Sequence, residues 1–326
     1  MEINTKIKKA QKVCIAKNGF VKYFFTTPNI HWHIIEENFD FDIEVVYENL
    51  SQNPNITWDI VQANPDKSWN YYFLSRNPNI TWEIVAANPD KPWSYSGLSL
   101  NSNITWDIVE NNPDKPWNYN LLSYNSNITW GIVESNPDKL LHYLELSLNP
   151  NITWDIVKAN PDKSWCYLYL SKHPNIKWDV VEANPDISWT YWYLSQNPNI
   201  TWDIVENNPD KPWNYQALSM NSNITWDIVK ANSDKPWNYF RLSANPNITM
   251  SIVNDHPDKP WDYAELSENP NITWDIVHAN LDKPWRFNSL LNNKMDQPVL
   301  KQTIKRQVLR TLEIKEELMM KTHLIM

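Results

Sequence analysis

A pair of tryptophans recurs along this chain with a period of 24 residues, and this spacing restricts the fold more than any other feature. The repeated unit reads Thr-Trp-Asp-Ile-Val-x-x-Asn-Pro-Asp-Lys-Pro-Trp-x-Tyr-x-x-Leu-Ser-x-Asn-Pro-Asn-Ile, in about eleven copies. The first tryptophan lies at Trp58, Trp82, Trp106, Trp130, Trp154, Trp178, Trp202, Trp226 and Trp274. The second lies at Trp69, Trp93, Trp117, Trp165, Trp189, Trp213, Trp237, Trp261 and Trp285. Such a strict period predicts a tandem array in which each unit packs mainly on its neighbours.

Each unit carries the signals of two short helices, as residues 56–79 illustrate. Thr57 is a suitable N-cap for the first helix. Asn64 and the proline after it end this helix after about two turns, because a residue before proline disfavours helical geometry. The stretch 66–69 indicates a second helix start, and Asn77 with its following proline ends that helix. The pattern predicts an all-α fold, an α-solenoid of about eleven short helix-turn-helix repeats.

Two other repeat folds fit the sequence less well. A leucine-rich repeat would need an apolar residue after each Leu-Ser pair, but this position holds Arg76, Lys172 and Glu268 in different units. A tryptophan-rich β-hairpin solenoid of the choline-binding type needs glycine turns, and the whole chain has 3 glycines. The same scarcity excludes glycine-rich phosphate loops and dinucleotide fingerprints. Helices this short are marginal alone, so packing between units must hold them.

The repeat pattern also predicts where the array begins and ends. Residues 1–28 indicate an N-terminal cap, and residues 29–291 form the array. Its first unit, which starts at Trp32, is degenerate and has a link two residues longer than the others. Residues 292–326 predict a C-terminal capping helix, and an oligomerisation or partner-binding helix is the alternative. The apolar side of that helix would consist of Leu300, Ile304, Val308, Leu312 and Leu318.

Composition excludes several functional classes. The net charge of −9 argues against nucleic acid, because phosphate binding needs concentrated lysine and arginine. Cys14 and Cys166 lie far apart in the sequence and do not form a zinc or disulfide pattern, which favours a reducing compartment. No apolar run is long enough to span a membrane, and Lys17 and Lys22 interrupt any signal-peptide core. Histidines occupy unrelated positions and no nucleophile–base constellation stands out, so we expect no enzyme activity, cofactor or metal.

Two repeated motifs suggest modification or metal binding, but each has a structural explanation. Nine Asn-Ile-Thr triplets match the N-glycosylation sequon, and the threonine in each is explained as a helix cap. Aspartates recur with the period from Asp66 to Asp282, usually followed by lysine. A calcium ladder would need six or more oxygens per ion, so a helix start with a neighbouring charge partner explains them better. We expect neither glycosylation nor calcium binding.

Positions that change from unit to unit are not fixed by the repeated packing and therefore indicate a partner surface. Two such rows start at Tyr72 and Arg76, four residues apart and hence on one helical face. Between Leu144 and Trp192 both rows are rich in large apolar groups, where we first expect a partner. The alternative is that these side chains pack on an adjacent hairpin in an irregular core. The candidate residues are Tyr72, Arg76, Leu100, Tyr124, Leu144, Leu148, Leu168, Lys172, Trp192, Gln196, Met220 and Phe240.

The stretch from Asn103 to Tyr119 resembles a tryptophan-rich short-repeat family that is abundant in proteins of giant DNA viruses of amoebae. The resemblance covers roughly residues 28–290 and implies a viral protein of the host-cell interior or the virion, without a known activity. The leading hypothesis is a non-enzymatic scaffold that binds a protein partner. A self-assembling structural or virion protein is the first alternative, and a carbohydrate binder with exposed tryptophans is the second. The sequence leaves the oligomeric state open.

Overall fold

The computed structural model describes residues 25–26, 28, 31–33, 35, 44–139, 141–290 and 293. Throughout these residues the secondary structure is helical, with turns between the helices and no strand. The predicted all-α repeat solenoid is therefore confirmed for this part of the chain. The expected caps, residues 1–28 and 292–326, lie outside the described residues except for Phe25, Thr26, Pro28 and Asn293.

Every repeat contains a first helix, which starts at the first tryptophan position, and a second helix, which starts at the tyrosine position. The first helices are Trp58–Ala63, Trp82–Ala87, Trp106–Glu110, Trp130–Ser135, Trp154–Ala159, Trp178–Ala183, Trp202–Asn207, Trp226–Ala231, Met250–Asp255 and Trp274–Ala279. The second helices are Tyr71–Arg76, Tyr95–Ser99, Tyr119–Tyr124, Tyr143–Leu146, Tyr167–Lys172, Tyr191–Gln196, Tyr215–Leu218, Tyr239–Ala244, Tyr263–Leu266 and Phe287–Leu290, with Glu44–Leu50 in the same role at the start.

The helix ends follow the sequence signals better than the helix starts do. Helix Trp58–Ala63 ends at Asn64, as predicted, and the Asn64 side chain donates to the Ile60 carbonyl at 2.9 Å. The first helix also begins where Thr57 predicts, but the Thr57 side chain makes no capping hydrogen bond. The predicted start of the second helix at residues 66–69 is wrong, because the capping residue is Asn70, whose side chain accepts from the Phe73 N–H at 3.2 Å.

The tryptophans pack between neighbouring repeats, as expected. The Trp213 ring lies 5.2 Å from the Trp178 ring of the preceding repeat and receives the Tyr191 ring edge-on at 5.3 Å. Its indole N–H donates to the Asn208 carbonyl at 2.9 Å. The same ring pairing joins Trp58 to Trp93, Trp130 to Trp165, Trp154 to Trp189, Trp202 to Trp237 and Trp226 to Trp261. The second tryptophan of a repeat, such as Trp213, therefore contributes both apolar area and a satisfied donor to the junction between two repeats.

A buried serine at the end of each second helix links that helix to the next repeat. The Ser219 hydroxyl donates to the Tyr215 carbonyl at 2.7 Å and accepts the Asn238 N–H of the following repeat at 3.0 Å. We call this row the serine ladder, and both bonds recur at Ser51, Ser99, Ser123, Ser147, Ser171, Ser243 and Ser267.

Two residues further along, a buried asparagine forms a second row of cross-repeat bonds. The Asn221 amide lies 3.0, 3.1 and 3.2 Å from the carbonyls of Ser195, Asn197 and Ile200, and its side-chain oxygen accepts the Asn223 N–H. Cross-repeat amide bonds of this kind recur at Asn77, Asn125, Asn149, Asn197, Asn245 and Asn269. We call this row the asparagine ladder.

Backbone contacts divide the chain into two compact units. The first consists of residues 1–93, 273–278 and 287–326, and the second of residues 94–272 and 279–286. In the first unit the Asn53 amide donates to the Phe25 carbonyl, 28 residues earlier, whereas the Asn77 amide reaches the Ser51 carbonyl, 26 residues earlier. The two extra residues of the first link in the sequence account for this difference.

The serine ladder leads to a stability prediction. Ser219→Ala removes the acceptor of a backbone N–H and a buried donor, so we expect the free energy of unfolding to fall by about 1–3 kcal/mol. Urea denaturation followed by circular dichroism measures this change. Ser222→Ala, an exposed position in the same repeat, is the matched control and should change the value by less than about 0.5 kcal/mol. Equal losses from the two variants would contradict a structural role for the ladder.

Candidate interaction surface

The second helix of each repeat has one fixed side and one side that varies between repeats. In helix Tyr191–Gln196, Leu194 and Ser195 are fully buried and hold the helix against its neighbours. Trp192, Tyr193 and Gln196 are left half-buried on the other side. We call the surface formed by these three positions in successive repeats the variable face.

The structure leaves most of the sequence-predicted residues open to solvent. Exposed apolar candidates include Leu168 at 41 % and Tyr124 at 45 %, values that are high for large apolar side chains. The exposed candidates are Tyr72, Arg76, Tyr124, Leu144, Leu168, Lys172, Met220 and Phe240. The half-buried candidates are Leu100, Leu148, Trp192 and Gln196. Their role in binding stays a prediction, although the exposed members do not belong to the core.

A third row on this face was not among the predicted residues. It lies one residue after the Tyr72 row and between the two rows that were identified. Its larger members are half-buried or buried and include aromatic and charged groups: Phe73, Leu121, Glu145, Tyr169, Tyr193, Arg241 and Glu265. The same signal, a residue type that changes from unit to unit, could have found it.

At the end of the variable face in the second unit, apolar groups give way to a charged cluster. Arg286 Nη1 lies 3.1 Å from Glu268 Oε1 and 3.5 Å from Glu265 Oε1, and Arg241 Nη1 lies 3.9 Å from Glu265 Oε2. Burial raises the pKa of Glu265 above its ordinary value, and the nearby Glu268 charge adds to this, whereas the two arginines oppose it. The variable face of the second unit therefore differs in character between its middle and this end.

The repeated aspartates form ion pairs on the turns rather than helix caps. Asp162 Oδ2 lies 3.0 Å from Lys163 Nζ, and this hydrogen bond lowers the pKa of Asp162. Lys163 also lies 6.0 Å from the Tyr143 ring of the preceding repeat. The predicted neighbouring charge partner is confirmed, but the predicted helix start is wrong because the helix begins only at Tyr167. Within the described part of the chain, no group of three or more His, Cys, Asp or Glu is arranged to hold a metal ion.

The sequon asparagines are engaged in cross-repeat hydrogen bonds. The Asn223 amide nitrogen, the atom to which a glycan would be attached, donates to the Pro198 and Ile200 carbonyls at 2.7 and 3.0 Å. The same two bonds recur at the sequon asparagines Asn79, Asn127, Asn151, Asn199, Asn247 and Asn271, and also at Asn175, where lysine replaces the threonine of the sequon. A glycan would displace an amide proton and one of these bonds, so the folded repeat explains the asparagine of the motif.

Small clefts with aromatic walls lie on the side of the first helices. One, of about 260 Å³, is lined by Trp202, Trp213, Tyr215, Lys211 and Lys235, together with other residues of the turn. An equivalent cleft of about 230 Å³ occurs one repeat earlier and includes Trp178, Trp189, Tyr191 and Lys211. The indole nitrogens of both second tryptophans already donate to backbone carbonyls. The clefts therefore offer ring faces and lysine ammonium groups, whereas the indole donors of Trp189 and Trp213 are already used.

In comparisons with protein-family models, with curated proteins and with solved structures, nothing matched this chain. Among the residues that the structure describes, every helix is too short or too polar to cross a bilayer.

The sequon geometry leads to a second stability prediction. Asn223→Asp replaces two donated hydrogen bonds with a carboxylate that faces two carbonyls, so we expect the free energy of unfolding to fall by about 1–3 kcal/mol at neutral pH. Asn254→Asp makes the same chemical change at an exposed position and is the matched control. Thermal and urea denaturation measure both variants. If Asn223→Asp is as mild as Asn254→Asp, the sequons do not hold the repeats together.

Proposed function

We propose that this protein is a non-enzymatic scaffold that binds another protein along the variable face. One observation carries the proposal: on the same short helices, buried positions repeat the same residues while large apolar side chains remain exposed at positions that change. Leu168, 41 % exposed, follows Tyr167, whose ring packs edge-on against Trp189. Repeat proteins use such arrays of varying residues as extended binding surfaces.

The composition of the face favours a protein partner. Aromatic and aliphatic anchors such as Tyr124, Leu144 and Phe240 alternate with charges of both signs, including Lys172 and Glu268. Protein interfaces combine apolar anchors that carry most of the binding energy with a polar surround that excludes water. A surface of one charge would instead favour a polyanion or polycation.

Self-assembly through the same face is the alternative function, since exposed apolar side chains along several repeats could equally bury against a second copy. Light scattering across a concentration range distinguishes the two, because self-assembly raises the mass with concentration. Following the viral resemblance, we place the protein in the host-cell interior or the virion.

Carbohydrate binding in the aromatic clefts is a further alternative. Unchanged tryptophan fluorescence during titration with oligosaccharides would remove it.

A single substitution tests the variable face. Leu168→Asp places a carboxylate where an apolar anchor contacts the partner, so we expect the dissociation constant to rise at least about tenfold. The measurement uses the protein that the wild-type chain captures from expressing cells, with binding then quantified by titration. A photo-crosslinking residue at Lys172 should label this partner, whereas one at Lys158, an exposed position on the first helix of the same repeat, should not.

Leu281→Asp is the matched control, because Leu281 is 58 % exposed and lies on the turn between the two helices of its repeat, outside the variable face. It should leave both binding and the unfolding midpoint unchanged. Equal binding by Leu168→Asp and Leu281→Asp, with crosslinks at Lys158 instead of Lys172, would place the partner elsewhere.

A further inference from the structure

The asparagine ladder contains a histidine at one position. His173 occupies the slot that asparagine fills in the repeats before and after it, and only 3 % of the residue is exposed. Its backbone carbonyl accepts the Asn197 amide at 3.0 Å, as the ladder requires. A titratable side chain is thus built into a row of bonds that otherwise contains only neutral amides.

The hydrogen-bond partners fix the form of the His173 ring. The Nε2 atom lies 3.0 Å from the Asn149 carbonyl, which can only accept, so Nε2 carries the proton. The Nδ1 atom lies 3.2 Å from the Asn175 backbone nitrogen, whose N–H can only donate, so Nδ1 must be unprotonated. The ring reproduces the donor and acceptor of the asparagine only while it is neutral.

We propose that the junction between the repeats on either side of His173 is an acid-sensitive joint. A second proton can bind only at Nδ1, where it faces the Asn175 N–H. The hydrogen bond from this N–H is then lost, and the positively charged ring is buried away from water. The joint must then open, or separate locally, for the ring to be protonated. Helix Tyr167–Lys172, which carries Leu168 and Lys172 of the variable face, ends at this residue.

No charged neighbour offsets the burial of a protonated ring. The titratable groups on the three second helices around the junction are Tyr143, Glu145, Tyr167, Tyr169, Lys172, Tyr191 and Tyr193, with Cys166 and Lys177 on the adjoining turns. None of them contributes to the shift in the pKa of His173. Burial lowers this pKa below its ordinary value of 6.5, and the hydrogen bond to Asn149 opposes the change only in part.

The direction of the pH effect follows from this shift. Between pH 6.5 and the lower pKa of the folded state, the unfolded chain binds a proton at His173 that the folded chain does not. The contribution of His173 to stability is therefore complete above pH 6.5 and falls as the pH falls through this window. For one proton, the folding equilibrium constant decreases by up to about tenfold per pH unit.

Urea denaturation from pH 7.5 to pH 5 tests the joint with three variants. His173→Asn restores the ladder residue and should remove the part of the decrease in unfolding free energy at low pH that comes from His173. Asn221→His places the same ring in another ladder slot and should make this decrease larger. His278→Asn changes an exposed histidine whose ring stacks on Trp274, and it should leave the decrease in stability at low pH unchanged. The proposal is overturned if His173→Asn and His278→Asn have the same pH dependence as the wild-type chain.

Nitrogen NMR of the wild-type protein supplies a second readout that does not depend on any variant. We expect the His173 signals of the Nε2-protonated neutral ring to persist below pH 6.5 until the chain opens. A His173 ring that titrates at its ordinary pKa while the protein stays folded would also overturn the proposal. Weaker binding of the partner at low pH is a consequence that rests on the proposed function, whereas the denaturation and NMR results do not.

Discussion

Hydrogen bonds from side chains of one repeat to the backbone of the next hold this structure in register. A regular helix leaves four N–H groups at its start and four carbonyl groups at its end without a partner inside the helix. In a helix of six residues, such as Trp202–Asn207, most of the backbone groups belong to these two ends. Burying such helices would be costly unless something else satisfied these groups. The serine ladder satisfies the N–H that opens the next second helix, and the asparagine ladder satisfies carbonyls of the preceding turn. Packing of the aromatic rings alone would bury apolar surface but would not fix how one repeat is aligned with the next.

This constraint also explains where the repeats are free to differ. On a second helix, the tyrosine, leucine and serine positions contact neighbouring repeats. The residue that caps the helix takes part in the serine ladder only through its backbone N–H, so its side chain can vary. Arg286 shows the last point: its N–H still donates to Ser267, while its side chain pairs with Glu268. Variation is therefore concentrated on one side of the second helices. The residues on this side differ from repeat to repeat, whereas the buried residues mostly stay the same.

Much of the fold could be predicted from the sequence because its signals are local. The period, the two helices and their ends at Asn64 and Asn77 follow from proline and turn chemistry within a few residues. The repeat shows that a serine recurs at the Ser219 position, but its role could not be predicted, since the bond between Ser219 and Asn238 spans 19 residues and joins two repeats. The start of the second helix was missed for a related reason: Asp66 resembles an N-cap, but Asn70 caps the helix.

A residue that departs from the repeat has different consequences on the two sides of the second helix. On the variable face, a change such as Leu168 to Trp192 in the next repeat alters the surface and leaves the ladder bonds in place. In a ladder slot, a replacement must provide a donor to the preceding turn and an acceptor for the next N–H. His173 meets both requirements only as the neutral tautomer with its proton on Nε2. A second proton, on Nδ1, removes the acceptor, whereas an asparagine amide keeps its acceptor at any ordinary pH. Among the described repeats, the asparagine ladder therefore keeps its bonds at any ordinary pH in the slots that hold asparagine, and depends on pH where His173 replaces it.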